Sequence, residues 1–187
     1  MIIAKLKYFF LKSLALKGIK TRPKNISMNP NATSFYDFKI KSIEGNEIDF
    51  STFKGKKILI VNTASECGYT PQYTELNELN SSYGNKIIVL GFPSDNFGGQ
   101  EPGTNAEIKN FCSLNFHVTF PLFEKSDVIG INQNPVYKWL TDKKENGWNE
   151  EPPKWNFNKY LIDERGILIK FYNSATNPLS NEILNLL

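Results

Sequence analysis

The chain has 187 residues, of which 40% are hydrophobic and 22% are charged, and its formal net charge is +3. This composition suits one compact globular domain, and so small a charge gives no argument for nucleic-acid binding. Because no stretch of about 18 uncharged apolar residues occurs, we predict no transmembrane helix and no stable membrane insertion. Two cysteines and one histidine are too few for a disulfide-rich secreted fold or a multi-histidine metal site, so we predict neither a metal nor a cofactor.

The N-terminal segment differs from the rest of the chain. Residues 1–33 contain no acidic residue, and basic residues interrupt their short apolar patches. Such a leader resembles an organelle-targeting segment, which suggests a mitochondrion or plastid. A disordered basic tail on a cytosolic protein is the alternative, and a start at Met28 would allow both locations. We therefore predict a leader or tail over residues 1–33 and a folded domain over residues 34–187.

The secondary-structure pattern of this domain alternates strands and helices. Short alternating runs on either side of residues 44–46 predict a β-hairpin, and two longer apolar runs predict buried strands. The predicted elements after the hairpin are a strand over 58–63, a helix over 71–83, a strand over 86–92, helices over 105–115 and 134–142, strands over 156–163 and 167–172, and a helix over 178–187. This order predicts an α/β protein with a thioredoxin-like fold, in which helices flank a central mixed sheet.

Cys67 follows the first buried strand and precedes the helix that Pro71 begins. A thiol at this junction meets unpaired backbone N–H groups and the positive end of the helix dipole, and both favour the thiolate. Burial as a core cysteine is the alternative. Turn-forming neighbours such as Gly68 favour a position near the surface, so we interpret Cys67 as a reactive thiol.

Three further segments bear on Cys67, although each is weak evidence alone. Gln100 lies in a Gly-rich loop after the second buried strand, which ends at the same sheet edge as the first. Trp155 and Asn156 directly precede a later strand, where an aromatic residue is more often part of the core. Cys112 lies among apolar residues of a predicted helix, so its thiol is by default buried.

Taken together, three stretches resemble the glutathione peroxidase family over residues 34–187. They are Asn62-Thr63-Ala64-Ser65-Glu66-Cys67-Gly68-Tyr69-Thr70, the loop from Gly91-Phe92-Pro93 to Gln100-Glu101-Pro102-Gly103, and Trp155-Asn156-Phe157. The resemblance implies a peroxidase in which Cys67 attacks the peroxide and becomes a sulfenic acid. It also implies that Gln100, Trp155 and Asn156 complete a catalytic tetrad. Their side chains are neutral hydrogen-bond donors, which can stabilise the charge that grows on the leaving oxygen.

The position of Cys112 resembles that of the resolving cysteine in the thioredoxin-dependent branch of the family. This implies a disulfide between Cys67 and Cys112 that thioredoxin then reduces. Because the two thiols lie on different elements, we expect the 105–115 helix to unwind when the disulfide forms. The short stretch over 142–154 lacks the insertion of tetrameric members, which implies a monomer or weak dimer with a site open to lipid hydroperoxides and hydrogen peroxide.

Three alternatives stay open. Glutathione is a possible reductant, in which case Cys112 is incidental. A non-enzymatic redox sensor or relay would also use Cys67. A cysteine hydrolase built on Cys67 and His117 is the most remote, because no carboxylate near His117 in sequence would orient its ring.

Overall fold

The computed structural model describes residues 18–27, 29 and 32–187. The strands are β1 (Lys20–Thr21), β2 (Lys39–Lys41), β3 (Glu47–Asp49), β4 (Lys57–Thr63), β5 (Ile87–Pro93), β6 (Lys159–Ile162) and β7 (Leu168–Tyr172). The α-helices are α1 (Gln72–Ser82), α2 (Asn105–Phe116), α3 (Pro135–Leu140), α4 (Lys143–Asn146) and α5 (Asn181–Leu184). Two short 3₁₀ helices, Phe35–Asp37 and Phe50–Phe53, flank the β2–β3 hairpin.

One mixed sheet organises the domain. Its five strands have the order β1-β7-β6-β4-β5, and β2 and β3 form a separate antiparallel hairpin. Strand β4 runs parallel to β5 and antiparallel to β6, while β6 and β7 form an antiparallel pair. The predicted mixed sheet with flanking helices and an N-terminal hairpin is therefore confirmed.

Alternating side chains of β4 explain why this strand is apolar throughout. Ile58 and Ile60 pack into a cluster on one face of the sheet that also contains the aromatic residues of the 3₁₀ helices. Leu59 and Val61 pack into a second cluster on the other face, together with α1 and α2. A strand that is covered on both faces reads as a continuous apolar run, as parallel strands commonly do. The second cluster is the one that contains Cys67.

The structure departs from the predicted start of the domain near residue 34. Strand β1 pairs antiparallel with β7 at the sheet edge, and Lys20 forms an ion pair with Glu151. Arg22 donates a hydrogen bond to the carbonyl oxygen of Asn146 at 3.0 Å. A two-residue edge strand held by backbone pairing and charge has no hydrophobic periodicity, so no pattern revealed it. Residues 1–17 and Met28 lie outside the described residues, as does most of the predicted leader.

Two further elements differ in their bounds from the prediction, and each has a local reason. The strand predicted to begin at residue 156 begins at Lys159, because Phe157 adopts a left-handed conformation with φ of 62°. The predicted helix over 134–142 is shorter because Asn134 is its N-cap and accepts a hydrogen bond from the N–H of Val136. No helix in the described part of the chain has the length and apolar character needed to cross a membrane.

We expect Phe50→Ala to lower the free energy of unfolding by about 3–5 kcal/mol, since it leaves a cavity in a packed aromatic cluster. Phe50 is fully buried, and its ring centroid lies 5.3 Å from that of Phe35 and 5.5 Å from that of Phe123. Urea denaturation followed by circular dichroism measures the change. Ile131→Ala, at a fully exposed position, is the control and should change stability by less than about 0.5 kcal/mol. Equal effects of the two substitutions would contradict the assigned core.

Candidate active site

The turn that carries Cys67 is fixed by backbone and hydroxyl hydrogen bonds. The N–H of Cys67 donates to Oγ1 of Thr70 at 3.0 Å, and the Thr70 hydroxyl donates to the carbonyl oxygen of Ala64 at 2.9 Å. The N–H of Tyr69 points at the sulfur of Cys67 at a distance of 3.4 Å. We expected a thiol near the surface, but Cys67 is only 8% exposed, because it packs into the second apolar cluster. The turn nevertheless supplies the sulfur with a backbone N–H donor, as we predicted from the position of Cys67 between a strand and a helix.

Gln100 connects the β5–α2 loop to this turn. Its carbonyl oxygen accepts a hydrogen bond from the N–H of Glu66 at 3.0 Å, directly beside Cys67 in the chain. Its side-chain oxygen accepts a hydrogen bond from Nδ2 of Asn156 at 3.0 Å. This second bond orients the amide, so its NH₂ group remains available as a donor.

Asn62 on β4 fastens the turn that carries Trp155 and Asn156. Its Nδ2 donates to the carbonyl oxygen of Trp155 at 3.0 Å, and its Oδ1 accepts from the N–H of Asn158 at 3.0 Å. The N–H of Phe157, which has the left-handed backbone, donates to the carbonyl oxygen of Asn62 at 2.6 Å. These bonds hold a strained turn against the strand that leads to Cys67.

Trp155 lies at the surface of the site, not in the core. Trp155 is 40% exposed, and its ring centroid is 6.0 Å from that of Phe97. Gly98 separates the Trp155 ring from the Gln100 side chain, since a Cβ added there would lie 3.5 Å from the ring and 3.6 Å from Cγ of Gln100. The structure thus brings Gln100, Trp155 and Asn156 together around the loop that is bonded to the Cys67 turn.

Cys112 is completely buried within α2, and both cysteines are free thiols. Helix α2 begins with a capping box between Thr104 and Glu107. This cap stabilises the helix, although we expected a helix that unwinds easily. Burial raises the pKa of the Cys112 thiol to about 11, and the Tyr73 hydroxyl offsets part of this rise. Cys112 is therefore protonated in this conformation and has no access to solvent.

His117 ends α2 with a left-handed backbone, φ of 50°. No hydrogen bond joins its side chain to Cys67 or to a carboxylate in the described residues, which gives the hydrolase alternative no support. Nor does any group of three or more His, Cys, Asp and Glu side chains within residues 18–27, 29 and 32–187 have the arrangement of a metal site.

Two buried charged residues next to the site were not identified from the sequence. Glu101 directly follows Gln100 and is fully buried, and burial raises the pKa of its carboxyl group to about 7. Lys159 is also fully buried, burial lowers its pKa to about 7, and its ammonium donates to the carbonyl oxygen of Phe157 at 2.8 Å. Glu101 lies inside a stretch that carried the family resemblance and Lys159 lies two residues after one, but nothing in the sequence distinguishes a buried acid or lysine from an exposed one.

Cys67 thus lies in the turn between strand β4, which runs parallel to β5, and helix α1 of a thioredoxin-like fold. A DsbF homologue from Corynebacterium diphtheriae shares this fold, with a TM-score of 0.62 over 91% of this chain and 93% of its own, at 10% identity. The structure described as Trgpx in apo form is more similar in sequence, with 38% identity and a TM-score of 0.63 over 82% of this chain and 95% of its own.

The family model described as "Glutathione peroxidase" matches residues 35–141. "Glutathione peroxidase-like peroxiredoxin 2" of Saccharomyces cerevisiae is 46% identical over 158 residues, which cover 83% of this chain and 98% of the yeast protein. "Hydroperoxy fatty acid reductase gpx1" of Synechocystis is 44% identical over 78% of this chain and 89% of its own. The chain therefore belongs to the glutathione peroxidase family. It is a thiol peroxidase that acts on hydroperoxides, and the resemblance stated above is confirmed.

We expect Glu101→Gln to stabilise the protein more at pH 8 than at pH 5. In the folded protein the pKa of Glu101 is raised from the usual 4.5 to about 7. Below pH 4.5 the carboxyl group is therefore neutral in both the folded and the unfolded protein, and it does not make stability depend on pH. As the pH rises through 7, the unfolded chain has already released the proton, and the folded protein loses stability relative to it. The gain from the substitution should be larger by about 2 kcal/mol at pH 8. Chemical denaturation at both pH values measures it, with the exposed Glu78→Gln as control. A gain that is independent of pH would contradict the raised pKa.

Proposed function

We propose that Cys67 is the residue that attacks the hydroperoxide, that Gln100 and Trp155 serve it as hydrogen-bond donors, and that Asn156 completes the group by orienting the Gln100 amide. One observation supports this most: the Gln100 residue is bonded on one side to the Cys67 turn and on the other to Asn156. Trp155, the neighbour of Asn156, borders Gln100 across Gly98. Hydrogen bonds and the close approach at Gly98 thus connect all three side chains to the loop that is bonded to the Cys67 turn.

The chemistry of this step follows from the donors. The Cys67 thiolate attacks one peroxide oxygen, the O–O bond breaks, and the other oxygen leaves as hydroxide or alkoxide and takes up a proton. Cys67 is thereby oxidised to a sulfenic acid while the peroxide is reduced. The indole N–H of Trp155 and the NH₂ group of Gln100 are neutral donors that can stabilise the leaving oxygen, and the Tyr69 N–H supports the sulfur.

We further propose that Cys112 resolves the sulfenic acid and that thioredoxin reduces the resulting disulfide. Both thiols belong to the same apolar cluster on one face of the sheet, although they lie on different elements. Relatives at 44–46% identity carry the name glutathione peroxidase-like peroxiredoxin, which favours a protein reductant. Since Cys112 is fully buried in a capped helix, α2 has to open locally before its thiol reaches Cys67.

Lipid hydroperoxides are the substrates that the surface beside Trp155 favours, together with hydrogen peroxide. A cleft of about 470 Å³ there is lined by Tyr69, Trp155 and Phe171, and its polar part holds Glu151 in ion pairs with Lys20 and Lys154. Apolar rings suit the tail of a lipid hydroperoxide. The Synechocystis relative is named for such a substrate.

The cellular location and the oligomeric state are proposed from the sequence alone. We propose a targeting leader within residues 1–33, ahead of the paired strand β1, and a monomer or weak dimer. Imaging of tagged full-length protein beside a form that starts at Met28 tests the first, and sedimentation tests the second. Loss of organelle signal in the shorter form is the expected result, and equal distribution of both would refute a leader.

We expect Cys112→Ser to lower thioredoxin-driven turnover of hydrogen peroxide by at least about tenfold, because no disulfide can form for thioredoxin to reduce. The rate of the first oxidation of Cys67 should not change. Assays with thioredoxin and its reductase, run beside glutathione and its reductase, measure both reductants, and Ser113→Ala on the exposed face of α2 is the control.

Full thioredoxin-driven turnover in Cys112→Ser would refute the resolving role. Faster recycling of the unaltered protein by glutathione would support the glutathione alternative. Negligible turnover with either reductant, together with a mixed disulfide to another partner protein, would favour the redox relay.

We expect Asn156→Ala to slow the oxidation of Cys67 by about 10–100-fold, since the Gln100 amide loses the bond that orients it. Stopped-flow fluorescence of the reduced protein mixed with hydrogen peroxide measures this single step. Asn110→Ala at an exposed position of α2 is the matched control and should react at the normal rate. An unchanged rate in Asn156→Ala would mean that Asn156 has no part in the site.

A further inference from the structure

Lys159, the first residue of β6, is a fully buried lysine without a carboxylate partner. Among the residues that the structure describes, no ion pair joins its ammonium to an acidic side chain. Lysines are almost never fully buried unless they are paired, because a charge in the interior loses its hydration. The burial of this lysine therefore needs a reason, and the peroxidase steps described above do not use it.

The Lys159 ammonium points at the turn that carries Trp155 and Asn156. Its Nζ donates to the carbonyl oxygen of Phe157 at 2.8 Å and lies 3.5 Å from the carbonyl oxygen of Ser174. Phe157 has the left-handed backbone, which a bulky residue adopts only where the surrounding structure holds it. A charged donor forms a stronger hydrogen bond than a neutral one, above all in the interior. Lys159 therefore fixes the residue of this turn whose backbone is strained.

Ser174, in the segment after β7, fixes the neighbouring carbonyl group. Its hydroxyl donates to the carbonyl oxygen of Asn156 at 2.6 Å and accepts from Nδ2 of Asn158 at 2.6 Å. Its own carbonyl oxygen accepts from Nε2 of Gln72, the first residue of α1, at 2.7 Å. Ser174 and Asn156 are both buried, so water competes little for these bonds. The serine thus connects the Asn156 backbone to the helix that follows the Cys67 turn.

The contacts of Lys159 and Ser174 meet at the residue that orients Gln100. The Asn156 amide donates to the side-chain oxygen of Gln100 at 3.0 Å, and its direction depends on the backbone of the turn. We propose that Lys159 and Ser174 are positioning residues for the oxidation of Cys67. By fixing two successive carbonyl oxygens of the turn, they hold the Asn156 amide against Gln100. This inference rests on the proposed role of Asn156 and adds two residues that act through it.

The burial of Lys159 allows a role in positioning to be separated from a role in stability. Replacing a buried charge by an apolar side chain of similar volume is often neutral or stabilising, since the charge no longer has to be buried. Burial lowers the pKa of Lys159 to about 7, which reflects this unfavourable environment of the charge. We therefore expect Lys159→Met to unfold at no lower urea concentration than the unaltered protein, although its Cys67 reacts more slowly.

The test combines this variant with Asn156→Ala in a double-mutant cycle. Stopped-flow fluorescence of the reduced whole protein, mixed with hydrogen peroxide, measures the oxidation of Cys67. Lys159→Met should slow this step at least about fivefold. The double variant should be no more than about twofold slower than Asn156→Ala alone, because both substitutions disturb the same amide. Lys57→Met, at the opposite end of β4 from the Cys67 turn, is the matched control and should react at the normal rate.

A normal rate in Lys159→Met, or a double variant in which the two single effects multiply, would overturn the inference. So would a loss of stability that accounts for the slower reaction. If Lys159→Met does not fold, Ser174→Ala decides in the same cycle, with the exposed Ser113→Ala as control. Ser174→Ala should slow the oxidation at least about threefold, and a normal rate would overturn the inference. If Asn156→Ala itself reacts normally, the proposed role of Asn156 fails first and this inference fails with it.

Discussion

Gln100 connects the parts of the candidate active site through two hydrogen bonds of different kinds. Its backbone carbonyl fixes the β5–α2 loop to the Cys67 turn, and its side-chain oxygen fixes the same loop to Asn156. The parallel pairing of β4 and β5 makes this possible, because both strands end at one edge of the sheet. Three distant parts of the sequence, namely the Cys67 turn, the β5–α2 loop and the turn that contains Asn156, thereby meet.

The two thiols of the chain have opposite environments within one apolar cluster. Cys67 lies in a turn with a backbone N–H at its sulfur, whereas Cys112 is enclosed by a capped helix and keeps its proton. In this conformation the Cys112 thiol has no access to solvent.

The sequence predicted the parts of the fold that hydrophobic patterns determine. Strand β4 was recognisable because it is apolar on both faces, and Cys67 because a strand meets a helix there. Strand β1 was missed because an edge pairing of two residues has no pattern. Residues 156–158 were predicted as strand, and they form a turn instead because their shape depends on bonds to Asn62, which lies more than 90 residues away in the chain. The burial of Glu101 likewise depends on the tertiary structure alone.

We propose above all that Cys67 is the sulfur that reacts with peroxide, with the Gln100 amide and the Trp155 indole as neutral donors. The most direct measurement traps sulfenic acid with dimedone in Cys112→Ser after one equivalent of hydrogen peroxide, and follows the rate by mass spectrometry. The account predicts a single adduct on Cys67, formed at least about 100-fold faster than the oxidation of a free thiol at the same pH. An adduct that forms no faster than with free cysteine, or no adduct on Cys67 at all, would contradict it.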